Sequence, residues 1–192
     1  EALERKRRVL GDDHPSTLRS INSMGGLFLE QGKYEGAEPF LRKALEIRRR
    51  TLGDYHPATL WSINNMGVLL TKQGKYEEAE PFIREALAGR RRKLGDDHPR
   101  TLSTIRDLGA LLAGQGKFDE AKPLLLEAFE RRSQVHGPTA PKTIDAIKEL
   151  IEFYKTWHEA DPDAGHDQSA AEWQVKLEAA TAPTKEATPP PD

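Results

Sequence analysis

The chain repeats itself every 42 residues, and that period constrains its fold more than any other feature. Leu10-Gly11-Asp12-Asp13-His14-Pro15 returns as Leu52-Gly53-Asp54-Tyr55-His56-Pro57 and again as Leu94-Gly95-Asp96-Asp97-His98-Pro99. Aligning residues 10–51 with 52–93 gives 28 identities in 42 positions. A third copy, 94–135, drifts further, and a fourth begins in register at Gly137 and Pro141 but loses the pattern after Trp157. A repeat of this length is one supersecondary unit that cannot bury its apolar face alone and must stack on its neighbours.

Within each copy the apolar spacing is helical. Leu18, Ile21, Met24, Gly25 and Phe28 fall at three- and four-residue steps, and Tyr34, Ala37, Phe40, Leu41, Ala44 and Leu45 do so in the second half. Gln31-Gly32-Lys33 separates the halves and recurs as Gln73-Gly74-Lys75 and Gln115-Gly116-Lys117, a place where glycine ends a helix and turns the chain back. The Leu-Gly-Asp-x-His-Pro segment is the second break, with proline opening the next helix. Each copy is therefore a helical hairpin, helix A then helix B. Pro39, Pro81 and Pro123 lie about five residues into helix B; because they recur in phase, they read as a bend tolerated near the helix start.

Gly25, Phe28, Gly32, Tyr34, Ala37 and Ala44 occupy places that resemble the small and aromatic signature of a tetratricopeptide repeat. The segments Gly-Lys-Tyr-Glu-x-Ala-Glu-Pro and Leu-Gly-Asp-x-His-Pro-x-Thr-Leu, with the long period, resemble the kinesin-light-chain subtype. The resemblance covers residues 1–157. It implies an all-α fold, a right-handed superhelical solenoid of antiparallel helix pairs whose concave face is lined by the A helices and takes up a segment of a protein partner. On this reading residues 1–180 form one repeat domain. Residues 1–9 end a preceding helix B, 10–51, 52–93 and 94–135 are full repeats, and 136–180 is a degenerate capping repeat. Residues 141–156 read as a fourth helix A, His158 to Gln168 as a loop, and Ala170, Trp173, Leu177 and Ala180 as one face of a final helix. Residues 181–192 (TAPTKEATPPPD) are too proline-rich and apolar-poor to fold and are expected to be disordered. With Glu1 in place of Met and a helix already under way, the chain reads as a piece of a longer protein.

Composition narrows the function classes. A net charge of −2 gives no global pull toward nucleic acid, and no apolar run approaches the roughly 18–20 residues that span a bilayer. Without cysteine there is neither disulfide nor thiolate metal site, and a cytoplasmic setting is the expectation. His14, His56 and His98 recur once per hairpin beside aspartates, but stacked helices sit roughly 10 Å apart, too far to share an ion held near 2 Å. A structural role in the turn, bonding a loop carbonyl or capping helix A, suits them better. The runs Lys6-Arg7-Arg8, Arg48-Arg49-Arg50 and Arg90-Arg91-Arg92-Lys93 are in phase too. They form either a phosphate-binding ridge or, as the reading preferred here, cations complementing the ends of the B helices, partly neutralised by Asp12, Asp54 and Asp96. No phosphate loop, nucleophile elbow or zinc motif is present, so neither catalytic residues nor a cofactor are expected in this region.

The candidate binding residues lie on the A helices. Setting Ile21, Ile63, Ile105 and Ile147 against helix B turns Asn22, Asn64, Arg106 and Lys148 toward the concave side, followed by Ser23, Asn65, Asp107 and Glu149. Ile63-Asn64-Asn65-Met66-Gly67 resembles the family's Leu-Asn-Asn-Leu-Ala stretch, whose asparagines are implied to bond a bound peptide's backbone. Trp61, with Arg19 at the equivalent place, is an aromatic anchor candidate, and Val68 completes the set. The expected partner is a protein or peptide. A regulatory arm of a larger enzyme, such as a kinase, and self-association through exposed solenoid ends are the alternatives.

Overall fold

The computed structural model describes residues 2–182 of the chain. Among these residues there are nine α-helices, one short 3-10 turn and no strand. They fall into two compact units, divided between Leu124 and Leu125.

The first unit begins with α1 (Ala2–Leu10), so the residues expected to be helical at the start of the chain are helical. Three hairpins follow: α2 (Pro15–Glu30) with α3 (Tyr34–Leu52), α4 (Pro57–Lys72) with α5 (Tyr76–Leu94), and α6 (Pro99–Gly114) with the start of α7 (Phe118–His136). The alternation A, B, A, B follows from two turns that recur in phase. After each A helix the chain closes a doubled bond: Gly32 N–H donates to the Leu29 carbonyl and Lys33 N–H to that of Phe28, repeated at Gly74/Lys75 and Gly116/Lys117. Gly74 takes φ +75°, a left-handed conformation that a side chain would strain. Before each A helix, His14, His56 and His98 cap it: Nδ1 accepts the backbone N–H of Ser16, Ala58 and Arg100 at 3.1–3.2 Å. The histidines thus have the capping role expected of them. The B helices run uninterrupted through Pro39, Pro81 and Pro123.

Packing within a hairpin is close because glycine sits at the crossing. A Cβ on Gly67 would lie 2.5 Å from Ile83 Cγ1, closer than two carbons can approach. Leu18, Ile21, Leu41, Leu60, Ile63, Ile83, Leu102 and Ile105 are fully buried and form the thin core between layers. Consecutive A helices also touch directly, α2 with α4 and α4 with α6, so they make one continuous face of this unit.

In the second unit α8 (Pro141–Ala160) packs along α9 (His166–Thr181), with the 3-10 turn Pro162–Ala164 between them. Helix therefore occupies both ends of the loop expected from His158 to Gln168. Trp173 from α9 meets Phe129 edge-on at 4.7 Å, and Trp157 stacks on His166 at 3.8 Å. Of the tail expected to be disordered, Thr181 ends α9; residues 183–192 lie outside the described residues.

Candidate functional site

The polar residues of the first unit sort into two levels, one inside the layers and one on the A-helix face. The inner level is built around arginine. Arg48, on α3, is only 3% exposed. Its Nη1 donates to Asn22 Oδ1 on α2 (3.2 Å), to the Ala58 carbonyl at the start of α4 (3.2 Å) and to Ser62 Oγ (2.6 Å). Ser62 also donates to Asn22 Oδ1 at 2.8 Å. One guanidinium thus ties together three successive helices.

The same construction recurs one period on. Arg90 donates to Asn64 Oδ1 (3.4 Å), to the Arg100 carbonyl (2.9 Å) and to Thr104, whose hydroxyl lies 3.0 Å from Asn64 Oδ1. Burial pushes the Arg90 guanidinium down to about 10, which leaves it charged at neutral pH, and lowers that of Arg48 too. At the other end of the unit Lys6 stands in for the arginine and donates to Ser20, one period before Ser62, at 2.7 Å. In the second unit Arg132 is likewise buried, with Glu149 at 3.8 Å. From the sequence, Arg48 and Arg90 are expected with their neighbours as cations complementing the ends of the B helices; the structure corrects this, because both are buried and only their neighbours are outside in the last turn. Those neighbours meet the expected aspartates: Arg7 with Asp12, Arg49 with Asp54 and Arg91 with Asp96 at 3.0–3.3 Å. A signal for the buried member is present in the sequence, since Arg48, Asn22 and Ser62 keep phase with Arg90, Asn64 and Thr104.

The placement of Asn22 and Asn64 corrects the expected sidedness of the A helices. Asn22 is fully buried and Asn64 is 6% exposed, both facing the arginines rather than the open face. A step of one residue turns about 100° around a helix, so the residue after Ile21 or Ile63 reaches the neighbouring layer and the one after that reaches the open face. Asn65 and Asp107 are accordingly half-buried and Ser23 is exposed.

On the face itself, Trp61, Asn65 and Val68 line one stripe of α4, all half-buried. The Arg48 guanidinium lies 5.4 Å from the Trp61 ring centroid, a cation–π contact that braces the indole from the protein side. Arg19 is exposed on α2. Arg106 on α6 pairs with Asp107 at 2.8 Å, and Asp107 Oδ2 accepts from Asn64 Nδ2 at 2.9 Å. Lys148 is exposed on α8, in the second unit. Among the described residues no group of three potential metal ligands converges, and no helix is long and apolar enough to cross a membrane.

The sequence profile of the tetratricopeptide repeat matches residues 1–50, 22–92 and 63–134. No curated protein matches the chain. Solved structures similar in fold include BtubC (BKLC) from P. vanneervenii, with a TM-score of 0.77 and 22% identity over all of this chain and 73% of that one. A putative kinesin light chain of Podosopora anserina with nearly identical TPR-like repeats has a TM-score of 0.71, and a point variant of the same protein 0.74. Both are 22% identical over 96% of this chain and 84% of theirs. At that identity the likeness is one of fold.

Proposed function

The chain belongs to the tetratricopeptide repeat family, and we propose on that premise that the face formed by α2, α4 and α6 binds an extended or helical segment of a partner protein. Repeats of this family generally mediate protein–protein interaction, and helical solenoids offer extended surfaces for it. The observation that carries the reading is the Trp61 stripe. An indole held half-buried over the Arg48 guanidinium is rigid before any partner arrives, so little side-chain entropy remains to be lost on binding. Tryptophan is enriched among the residues that dominate binding energy at interfaces, and Asn65 and Val68 beside it offer an amide and an apolar contact.

The test is capture of partners from a lysate by the wild type and by Trp61→Ala, compared protein by protein. The reading expects a discrete set of partners to be lost from the variant while far-UV circular dichroism and the melting temperature stay near wild type. Identical capture by the two proteins would rule out the stripe as the binding face.

A further inference from the structure

One residue near the start of each A helix in the first unit is held at both ends of its backbone. Ala58 N–H donates to His56 Nδ1 at 3.1 Å, and the Ala58 carbonyl accepts from the buried Arg48 at 3.2 Å. Arg100 repeats this one period on, donating to His98 Nδ1 at 3.1 Å and accepting from Arg90 at 2.9 Å. In the first repeat Ser16 donates to His14 Nδ1 at 3.2 Å, and its carbonyl accepts the Ser20 hydroxyl at 3.1 Å. Ser20 in turn accepts from Lys6. The first turn of each A helix thus lies between an imidazole and, directly or through Ser20, a cation of the helix before it.

The two sides respond differently to acid. The guanidinium keeps its charge, since burial lowers that of Arg90 only to about 10. Nδ1 accepts an N–H only through the lone pair of a neutral imidazole, and imidazole ordinarily gains its proton near about pH 6.5. Protonation turns that acceptor into a donor and sets a positive charge at the positive end of a helix. Each closed cap therefore keeps out a proton that the unfolded chain binds.

The carboxylates around the caps are engaged by other cations. Asp12 meets Arg7 and Lys43, and Asp13 meets Arg50 at 2.9 Å. Asp54 meets Arg49 at 3.3 Å, Asp96 meets Arg91 at 3.0 Å, and Asp97 is engaged as well. In the middle turn Tyr55, under the Arg92 guanidinium, stands where the other two have their second aspartate, so His56 has one carboxylate beside it in the chain rather than two. The second unit supplies a control. Ala140 takes the place of histidine there, one period after His98, and α8 has no side-chain cap.

We propose that His14, His56 and His98 form an acid-responsive clasp, closed while neutral and opened by protonation, that sets how firmly each A helix is joined to the layer before it. Because the repeat puts all three in the same setting, one small change in pH reaches three joints together. The clasp concerns the joints alone and does not depend on the open face binding a partner.

Two measurements on the whole chain decide it. Thermal melts at about pH 7.5 and about pH 5.5 compare the wild type with the triple variant His14→Asn, His56→Asn, His98→Asn, since asparagine caps a helix start without titrating. With its caps closed the folded chain binds fewer protons than the unfolded one, so its stability falls as pH drops through about 6.5. The wild-type melting temperature is expected to fall by about 5 °C over the interval, and that of the variant by less than half as much. Equal falls would overturn the proposal. Nuclear magnetic resonance of the wild type over the same range decides it even if the variant does not fold. The amide protons of Ser16, Ala58 and Arg100 should move upfield in step with the three imidazoles, as amides losing a hydrogen bond do. That of Lys142, one period after Arg100, should stay in place. Amides that ignore the histidines, or a Lys142 that moves equally, would overturn it too.

Discussion

Ser62 on α4 donates its hydroxyl to Asn22 Oδ1 on α2 across 2.8 Å, and the two residues belong to different repeats. The bond joins one A helix to the next directly, and the Arg48 guanidinium, bonded to both residues, completes a buried triangle. Apolar contact between layers is non-directional, so a hairpin could slide along its neighbour by a fraction of a turn at little cost. A buried guanidinium whose acceptors lie on two other helices admits one register only.

Removing a buried arginine should therefore destabilise the chain far more than removing an exposed one. Arg90→Met leaves Asn64 Oδ1 and the Arg100 carbonyl without this donor and is expected to cost about 2 kcal/mol. Arg50→Ala breaks an ion pair to Asp13 in which both side chains are 61% exposed, and should cost at most about 0.5 kcal/mol. Urea unfolding of the two variants beside the wild type measures the contrast. Equal midpoints would contradict the account of the inner level.

Two glycines on A helices should respond to alanine in opposite directions. Gly67→Ala drives a methyl group into Ile83 and should destabilise by about 1–3 kcal/mol. Gly26 lies in α2 with open space where a Cβ would go, so Gly26→Ala should stabilise by up to about 1 kcal/mol through helix propensity alone. Thermal melts of both variants test the pair, and shifts of the same sign would contradict it.

Acid should loosen the first unit through two carboxylates in phase. Glu38 and Glu80 are held below the ordinary 4.5, first by hydrogen bonds from Arg42 and Arg84 and then by Gln73 and Gln115 of the following turn. A carboxyl whose folded value is depressed adds stability above its unfolded value and loses it as pH falls through 4.5 toward the folded value. The melting temperature should therefore drop on going from about pH 6 to about pH 3, across the usual carboxylate window. The double variant Glu38→Gln with Glu80→Gln should show a shallower drop over the same interval. An unchanged slope would remove these two groups from the acid response.

Much of this architecture is legible in the sequence, and for a physical reason. Helix ends are decided locally, by Gly32 and its equivalents and by the His-Pro pairs, so the hairpins can be read without knowing what they pack against. The family likeness carried by Gly25, Phe28 and Tyr34 is borne out by the profile match and by kinesin-light-chain-like neighbours in fold. What stays hidden is which polar residues lie between layers. An A helix in a stack is covered on more than one side, by its own B helix and by both adjacent layers, so a single apolar stripe does not define inside and outside. Asn22 and Arg48 look like surface residues by type and are among the most buried side chains of the unit. The end of α8 is equally hard to read, because His158, Glu159 and Ala160 carry no apolar periodicity although the helix continues through them.

The phase of the inner polar network also bears on how such a chain can change its length. Cutting out residues 52–93 would join Thr51 to Leu94 and bring Arg48 to the Arg100 carbonyl and Thr104, groups of the same kind it meets now. Asn22 would then stand to Asp107 as Asn64 does now. Loss or gain of a whole period thus keeps every layer keyed to the next, whereas a fractional change strands a guanidinium in the interior. Genetic duplication and deletion can therefore edit this scaffold only in whole units.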